Sequence, residues 1–478
     1  MKDDTRDSLD PIQAAYTKAE AQYIAANPLS HAAYAEAGRN MPGGNTRSVL
    51  YWAPFPVSVT SAEGYALHDA DSHHYVDLLG EFSAGLYGHS DAVLQEAAVE
   101  TLRQGLSFGA PHAAEARLAG LIRSRFPNSI ELLRFTNSGT EATLMALAAA
   151  KAFTRRIRGK VLVFEAAYHG GVFYFPQGCS GAWSNGERKA GEGMEKNLER
   201  LVAVNAPHEY LVATYNDVAS VDSLLDGKDG EDGVAAILIE PMLGSGGGIR
   251  ATPEFLTHLR RRASELGALL IFDEVVTSRM YSGGGIQTEL GVVPDLTTLG
   301  KYIGGGMSFG AFGGRADVMS LFDPRSPEAI RHAGTFNNNV LTMNVGATGL
   351  ERVFTPAKAR QLHVLGDQVR DRINAIGSTL KVLGCGSILT FHVTAVAAAD
   401  VRSPDDLAGE DPRLVDLFHL EMLHEGFYLA RRGHVSLSLP LLEPKGRREL
   451  DRFVGAVEGF VQRFQGLLGL SSSPMRKG

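Results

Sequence analysis

The chain has 478 residues, enough for two or three packed domains. Hydrophobic residues make up 44% and charged residues 21%, the balance of an ordinary globular protein rather than a disordered or bilayer-embedded chain. A formal net charge of −8 lacks the basic footprint of a nucleic-acid binder.

Only Cys179 and Cys385 are available for cross-linking, so a disulfide framework is not expected and a reducing compartment is. The first residues, MKDDTRDSLDPIQ, are polar and mixed in charge, without the apolar run of a signal peptide. No stretch approaches the roughly 18 to 20 apolar residues that cross a bilayer. The expectation is a cytoplasmic protein with neither nucleic acid nor membrane as partner.

Taken in chain order, the first forty residues read as Ala-rich helix, and Met41 to Leu50 (MPGGNTRSVL) as a Gly-rich turn. Pro56 to Asp77 alternates like short antiparallel strands, with turns near Glu63-Gly64 and Asp69 to Ser72. From Glu131 the pattern changes. Leu132 to Thr136 reads as a short buried strand and Thr140 to Phe153 as a helix. Val161 to Phe164, Tyr210 to Ala213 and Ala235 to Ile239 are further strand candidates, Phe255 to Leu266 an amphipathic helix, and Ala268 to Phe272 an apolar run. Strands alternating with helices indicate an α/β fold whose mainly parallel sheet is covered on both faces.

A Gly-rich patch from Tyr302 to Gly314 closes this section. Helix resumes after Asn339 to about Ile376, with strands at Ile388 to Val393 and Val435 to Leu439 and a last helix from Arg447 to Phe464. That end reads as a smaller α+β domain. The polar stretch Gln177 to Asn197 reads as a surface loop or insertion, and SSSPMRKG as a disordered tail.

Five positions invite chemistry. Lys301 follows the strand-like run Asp295 to Leu299 and precedes three glycines. Desolvation there would lower the amine pKa and favour Schiff-base formation, although a lone lysine is also an ordinary solvated charge. Asp273 ends the run Ala268 to Phe272. A carboxylate at the end of a buried strand needs a cationic partner such as a protonated pyridine nitrogen, unless Asp273 and Glu274 ligate a metal or Asp273 caps a helix. Asn137 to Glu141 (NSGTE) places small hydroxyl residues at a helix start, which suits a phosphate or simply caps the helix. Tyr168, in YHGG, is a ring at a strand end, fit to stack on a planar cofactor or to fill a core. Thr335, in HAGTFNNN, is a second phosphate candidate or a turn residue.

Five motifs, NSGTEA, AYHGG, IEP, FDEV and TLGKYIGGG, occur in the order found in the class III aminotransferases of pyridoxal-5′-phosphate (PLP) fold type I, which the chain resembles from about Met41 to Leu439. The resemblance implies a large domain with a mainly parallel seven-stranded sheet (residues 81–340) and a smaller α+β domain built from both chain ends (1–80 and 341–478). It gives Lys301 the internal aldimine and the proton shuttle. Asp273 receives the pyridine nitrogen, Tyr168 and Val275 the two ring faces, and Ser138, Gly139 and Thr140 the phosphate. Glu240 stands behind the site. Thr335 reaches the phosphate of the other subunit of a homodimer. No metal is implied.

Within the class, MPGGNTRSVLYWAPFP, GTFNNNV and RRGHVSLSLP look closer to the aromatic β-amino acid aminotransferases than to glutamate-1-semialdehyde 2,1-aminomutase. The resemblance then gives Arg47 the carboxylate of a β-amino acid donor and Arg432 that of a 2-oxo acid acceptor such as 2-oxoglutarate or pyruvate, both by paired hydrogen bonds. Arg431 is adjacent and could exchange roles with Arg432, and His434, Ala430 and the Gln177 to Asn197 stretch depart from the pattern. The main rival is intramolecular amino transfer by an aminomutase. A nucleotide-binding oxidoreductase rests only on GSGGGI and GGGMSFG, neither of which fits G-x-G-x-x-G. A PLP fold kept only for binding sits poorly with an intact Lys301 and Asp273.

Overall fold

The computed structural model describes residues 10–173, 209–227, 230 and 232–469. Cys179, the stretch Gln177 to Asn197 and the SSSPMRKG tail lie outside the described residues. The strands are β1 (Val59–Glu63), β2 (Ala66–Asp69), β3 (His74–Asp77), β4 (Leu132–Thr136), β5 (Lys160–Phe164), β6 (Tyr210–Ala213), β7 (Val234–Ile239), β8 (Leu269–Asp273), β9 (Leu296–Gly300), β10 (Gly310–Gly314), β11 (Leu380–Cys385), β12 (Ile388–Val393), β13 (Phe427–Tyr428) and β14 (His434–Ser436).

Seven of them form one sheet in the order β4-β10-β9-β8-β7-β5-β6. The pairs from β9 through β6 are parallel, and β10 runs antiparallel to both β9 and β4. The two-residue side-chain period explains why this sheet needs two coats. Leu162, Phe164, Ile237, Ile239, Leu270 and Phe272 pack on one face with Phe255, Leu256 and Leu259 of the helix Pro253–Leu266. Val161, Val163, Ala236, Leu238, Leu269 and Ile271 pack on the other with Ala142, Ala146 and Leu147 of the helix Gly139–Phe153. Thr252 starts the first of these helices by accepting the Phe255 N–H at 3.1 Å, and left-handed Gly267 ends it.

The chain ends meet. Antiparallel β1, β2 and β3 form a sheet completed by β13, which pairs in parallel with β3, and the helix Pro11–Ala26 packs on the helix Pro412–His424. A third sheet has the order β11-β12-β14.

Three local expectations are revised. Leu132 to Thr136 is a half-exposed edge strand rather than a buried one, with Leu132 47% accessible. Within the Gly-rich patch, Gly310–Gly314 is a strand, because its glycines admit neighbours that no side chain would: a Cβ on Gly310 would lie 2.1 Å from the Ser138 carbonyl oxygen, and one on Gly314 2.0 Å from that of Asp295. The strand expected at Val435 to Leu439 stops at Ser436, and a 3-10 turn over Leu439–Leu442 follows, where Pro440 has no N–H for a ladder.

Candidate active site

β4 and β9 run the same way, since each is antiparallel to β10. The carboxyl ends of β4, β5, β7, β8 and β9 therefore share one edge, where open α/β sheets hold their ligands. Asn137 to Thr140 follow β4, Tyr168 to Gly171 follow β5, Glu240 follows β7, Asp273 ends β8 and Lys301 follows β9.

Lys301 has a left-handed backbone, φ 60°, which turns the chain sharply out of the strand. Its Nζ donates to the Phe82 carbonyl oxygen at 2.8 Å. Burial, then the Arg47 and Arg432 guanidinium groups, push the amine down to about 8, so about a tenth of it is unprotonated at pH 7, far more than for an ordinary lysine.

Asp273 is 4% exposed. Its Oδ2 lies 2.8 Å from Nδ1 of buried His169, and its Oδ1 accepts the Val275 N–H at 3.0 Å. Glu240 is buried as well. It accepts the Tyr168 N–H at 2.8 Å and the Gly244 N–H at 3.1 Å, which fixes the loop carrying Tyr168 and His169. Burial pushes the Glu240 carboxyl up to about 7. Asp273 and Glu274 do not share a ligand set: Glu274 accepts from Thr277 and from the N–H groups of Ile286 and Gln287, at 3.1 and 2.9 Å.

At the start of the helix Gly139–Phe153, Ser138 accepts the Glu141 N–H at 3.2 Å, so the residue does cap. The N–H groups of Gly139 and Thr140, the first two of the helix, lie before any residue that could accept them within it. A Cβ on Gly139 would meet Val275 Cγ2 at 2.8 Å, and one on Gly300 would meet Val275 Cγ1 at 3.2 Å. Val275 thus packs between the phosphate-type loop and the lysine strand. Thr140 Oγ1 accepts the Gly171 N–H at 3.4 Å, tying the loops after β4 and β5. Thr335 is exposed, in a segment joined to this loop by Asn137 donating to Asn337 at 2.9 Å.

The two arginines meet on one ring. The Cζ atoms of Arg47 and Arg432 each lie 5.5 Å from the centroid of Phe82. Arg432 Nη2 donates to Ser245 at 3.4 Å, while its buried Nε and Nη1 have no hydrogen-bond partner. Arg431 instead makes a two-pronged ion pair with Asp416. Arg47 pairs with Glu81.

Phe82 and Glu81 sit in a feature the sequence did not disclose. Gly80, Glu81, Phe82 and Ser83 all have positive φ, at 52, 47, 51 and 80°. Three successive non-glycine residues in this region cost about 1–2 kcal/mol each. The turn is held from outside. Buried Arg279 donates to the Ser83 carbonyl at 3.2 Å, to Ser436 Oγ at 3.0 Å and to the Leu437 carbonyl. A Cβ on Gly80 would lie 2.6 Å from the Ser436 carbonyl oxygen. Sequence reading missed Arg279, Phe82, Glu81 and the pairing of His169 with Asp273. Only the strand-end position of YHGG hinted at His169.

The donor set suits PLP: an amine of lowered basicity, a buried carboxylate braced by an imidazole, a helix start with free N–H groups, and glycines cleared of side chains around Val275.

A family model described as aminotransferase class-III matches residues 51–426. The β-phenylalanine transaminase of Variovorax paradoxus is 44% identical over 454 residues, covering 94% of this chain and 96% of that protein. A glutamate-1-semialdehyde 2,1-aminomutase of Sorangium cellulosum is 35% identical over 408 residues, 84% of this chain and 89% of the relative. The crystal structure of a β-phenylalanine aminotransferase from Variovorax paradoxus superposes with a TM-score of 0.86 at 44% identity, over 96% of this chain and 99% of that one.

Proposed function

The chain belongs to the class-III aminotransferases, PLP-dependent enzymes, and from that premise we propose that it moves the amine of a β-amino acid, preferentially an aromatic one, to a 2-oxo acid such as 2-oxoglutarate or pyruvate in two half-reactions. The observation that carries this reading is the pair of guanidinium groups flanking Phe82 beside the Lys301 amine. Each can grip one carboxylate with two parallel hydrogen bonds, and two carboxylate-bearing substrates visit in turn.

Ser138, Gly139 and Thr140 would hold the PLP phosphate, Asp273 its pyridine nitrogen, and Tyr168 and Val275 its ring faces. Bound there, PLP supplies an aldehyde that captures the substrate amine and an electron sink for the carbon that loses a proton. Lys301 Nζ provides the nucleophile and then carries that proton between carbons, which an amine of pKa about 8 can both accept and release near neutrality. His169 fixes the Asp273 carboxylate, and Glu240 holds the backbone of Tyr168, so neither ring contact nor charge partner drifts. Arg47 orients the donor carboxylate and Arg432 the acceptor carboxylate. Thr335 of one subunit completes the phosphate site of a second copy, and the working unit is a homodimer.

Incubation of the holoenzyme with β-phenylalanine and 2-oxoglutarate should yield glutamate. No glutamate, together with turnover of glutamate 1-semialdehyde, would hand the assignment to intramolecular amino transfer. Arg47→Ala should raise the KM of the donor about 10-fold or more, the worth of charge-assisted hydrogen bonds, with kcat near wild type.

A further inference from the structure

The two arginines at Phe82 are not in the same state. Arg432 has no acidic partner among the described residues, and two of its guanidinium nitrogens are buried without an acceptor. Arg47 is the half-open one, its side chain 42% exposed, and it carries the Glu81 carboxylate, itself 53% exposed. The backbone that carries Glu81 is fixed beside it, while the side chain is half exposed. The residue is the second of four in a left-handed turn whose ends are clamped by Ser436 and Arg279. The same turn delivers the Phe82 carbonyl to Lys301 Nζ. A strained backbone is thus kept in place at the one spot that lays a carboxylate on Arg47 and an acceptor on the lysine.

We propose that the Glu81 carboxylate is a built-in occupant of the Arg47 site, an internal competitor that a substrate carboxylate must displace. This rests on the reading of Arg47 as the donor carboxylate grip. Glu81 holds Arg47 Nη1, so a substrate carboxylate that docks with two parallel hydrogen bonds on the Nη1–Nη2 edge must take that nitrogen from it. The free cation site exists only in the fraction of molecules where Glu81 has swung into solvent, and the apparent affinity for the donor is reduced by that fraction. The exposed pair is weak, so the reduction is modest. It discriminates all the same: a ligand with a carboxylate in reach of Arg47 pays the displacement, and an amine without one does not. Glu81 is therefore a specificity-determining residue, setting the concentration at which carboxylate donors saturate the enzyme.

The experiment uses the holoenzyme and the single variants Glu81→Gln and Arg47→Ala. Glu81→Gln keeps the shape and a hydrogen-bonding end but removes the charge. Its KM for β-phenylalanine should fall by about 2- to 5-fold, the range expected from an exposed ion pair, with kcat little changed. The inhibition constant of 3-phenylpropanoate should fall by the same factor. The kcat/KM for 1-phenylethylamine, which is β-phenylalanine without its carboxylate, should not change. If Glu81 merely orients Arg47, Glu81→Gln raises the KM for β-phenylalanine, and the proposal is overturned while the role of Arg47 stands. An unchanged KM in Glu81→Gln, with a raised one in Arg47→Ala, overturns it in the same way. An unchanged donor KM in Arg47→Ala removes both the grip and its competitor.

Discussion

Lys301 combines a left-handed backbone with an amine whose basicity is reduced by burial and by two guanidinium neighbours. The backbone geometry explains why the side chain leaves β9 toward Phe82 instead of continuing the pleat. The lowered basicity sets a pH dependence whose sign follows from chemistry: only the unprotonated amine attacks an aldehyde. The rate at which the PLP-free protein takes up added PLP should climb with pH and level off above about 8. A stopped-flow absorbance profile still climbing toward the ordinary lysine value of about 10.4 would mean that the amine is not perturbed. Lys301→Ala should lose turnover by a factor on the order of 10³ to 10⁴ while its circular dichroism stays native. Lysine and Asp273 were legible in the sequence because each ends an apolar run, where a charge is costly without a purpose. Their helpers were not. His169 is 104 positions from Asp273 and Glu81 is 34 from Arg47, and no local pattern encodes such pairings.

At the scale of elements, the helices and the apolar strands around the site could be read from periodicity, since β7, β8 and β9 are buried along their whole length. β10 could not, because GAFGG offers neither β-branched residues nor alternation, and its strand character comes from what its neighbours need. The Gly80–Ser83 turn was equally silent: three of its four residues are types that avoid positive φ, and tertiary contacts with Arg279 and Ser436 hold them there. The glycines make this testable. Gly310→Ala puts a methyl group against the Ser138 backbone, so the loop that starts the helix Gly139–Phe153 must shift. The substitution should cost about 1–3 kcal/mol in urea-midpoint stability and weaken retention of PLP on dialysis. Gly455 lies in the helix Pro444–Arg463 with nothing within 4 Å of an added Cβ. Gly455→Ala should instead stabilise by about 0.5–1 kcal/mol and leave PLP retention alone. Equal effects of the two substitutions would show that the close approach at Gly310 is not what holds the loop.

For the whole molecule, the arrangement of five strand ends along one edge brings the cofactor residues of a single chain together, yet Thr335 remains exposed at the rim and Phe336 beside it is 59% accessible. A second copy of the chain would cover that rim and place Thr335 at the neighbouring phosphate site, whereas the Asn137–Asn337 bond also keeps the segment close to the phosphate loop of its own subunit. Mixing subunits separates the two arrangements. Thr335→Glu sets a carboxylate against a phosphate and should cripple PLP binding wherever that side chain acts. Lys301→Ala subunits are inactive for a different reason. In a mixed dimer, the site that keeps Lys301 belongs to the Thr335→Glu subunit. If Thr335 serves the partner, that site receives an unmodified Thr335, and random mixing of two inactive preparations should restore about a quarter of wild-type activity, from one sound site in half of the dimers. If Thr335 serves its own subunit, no mixed dimer contains a sound site, and unfolding and refolding the two together restores nothing.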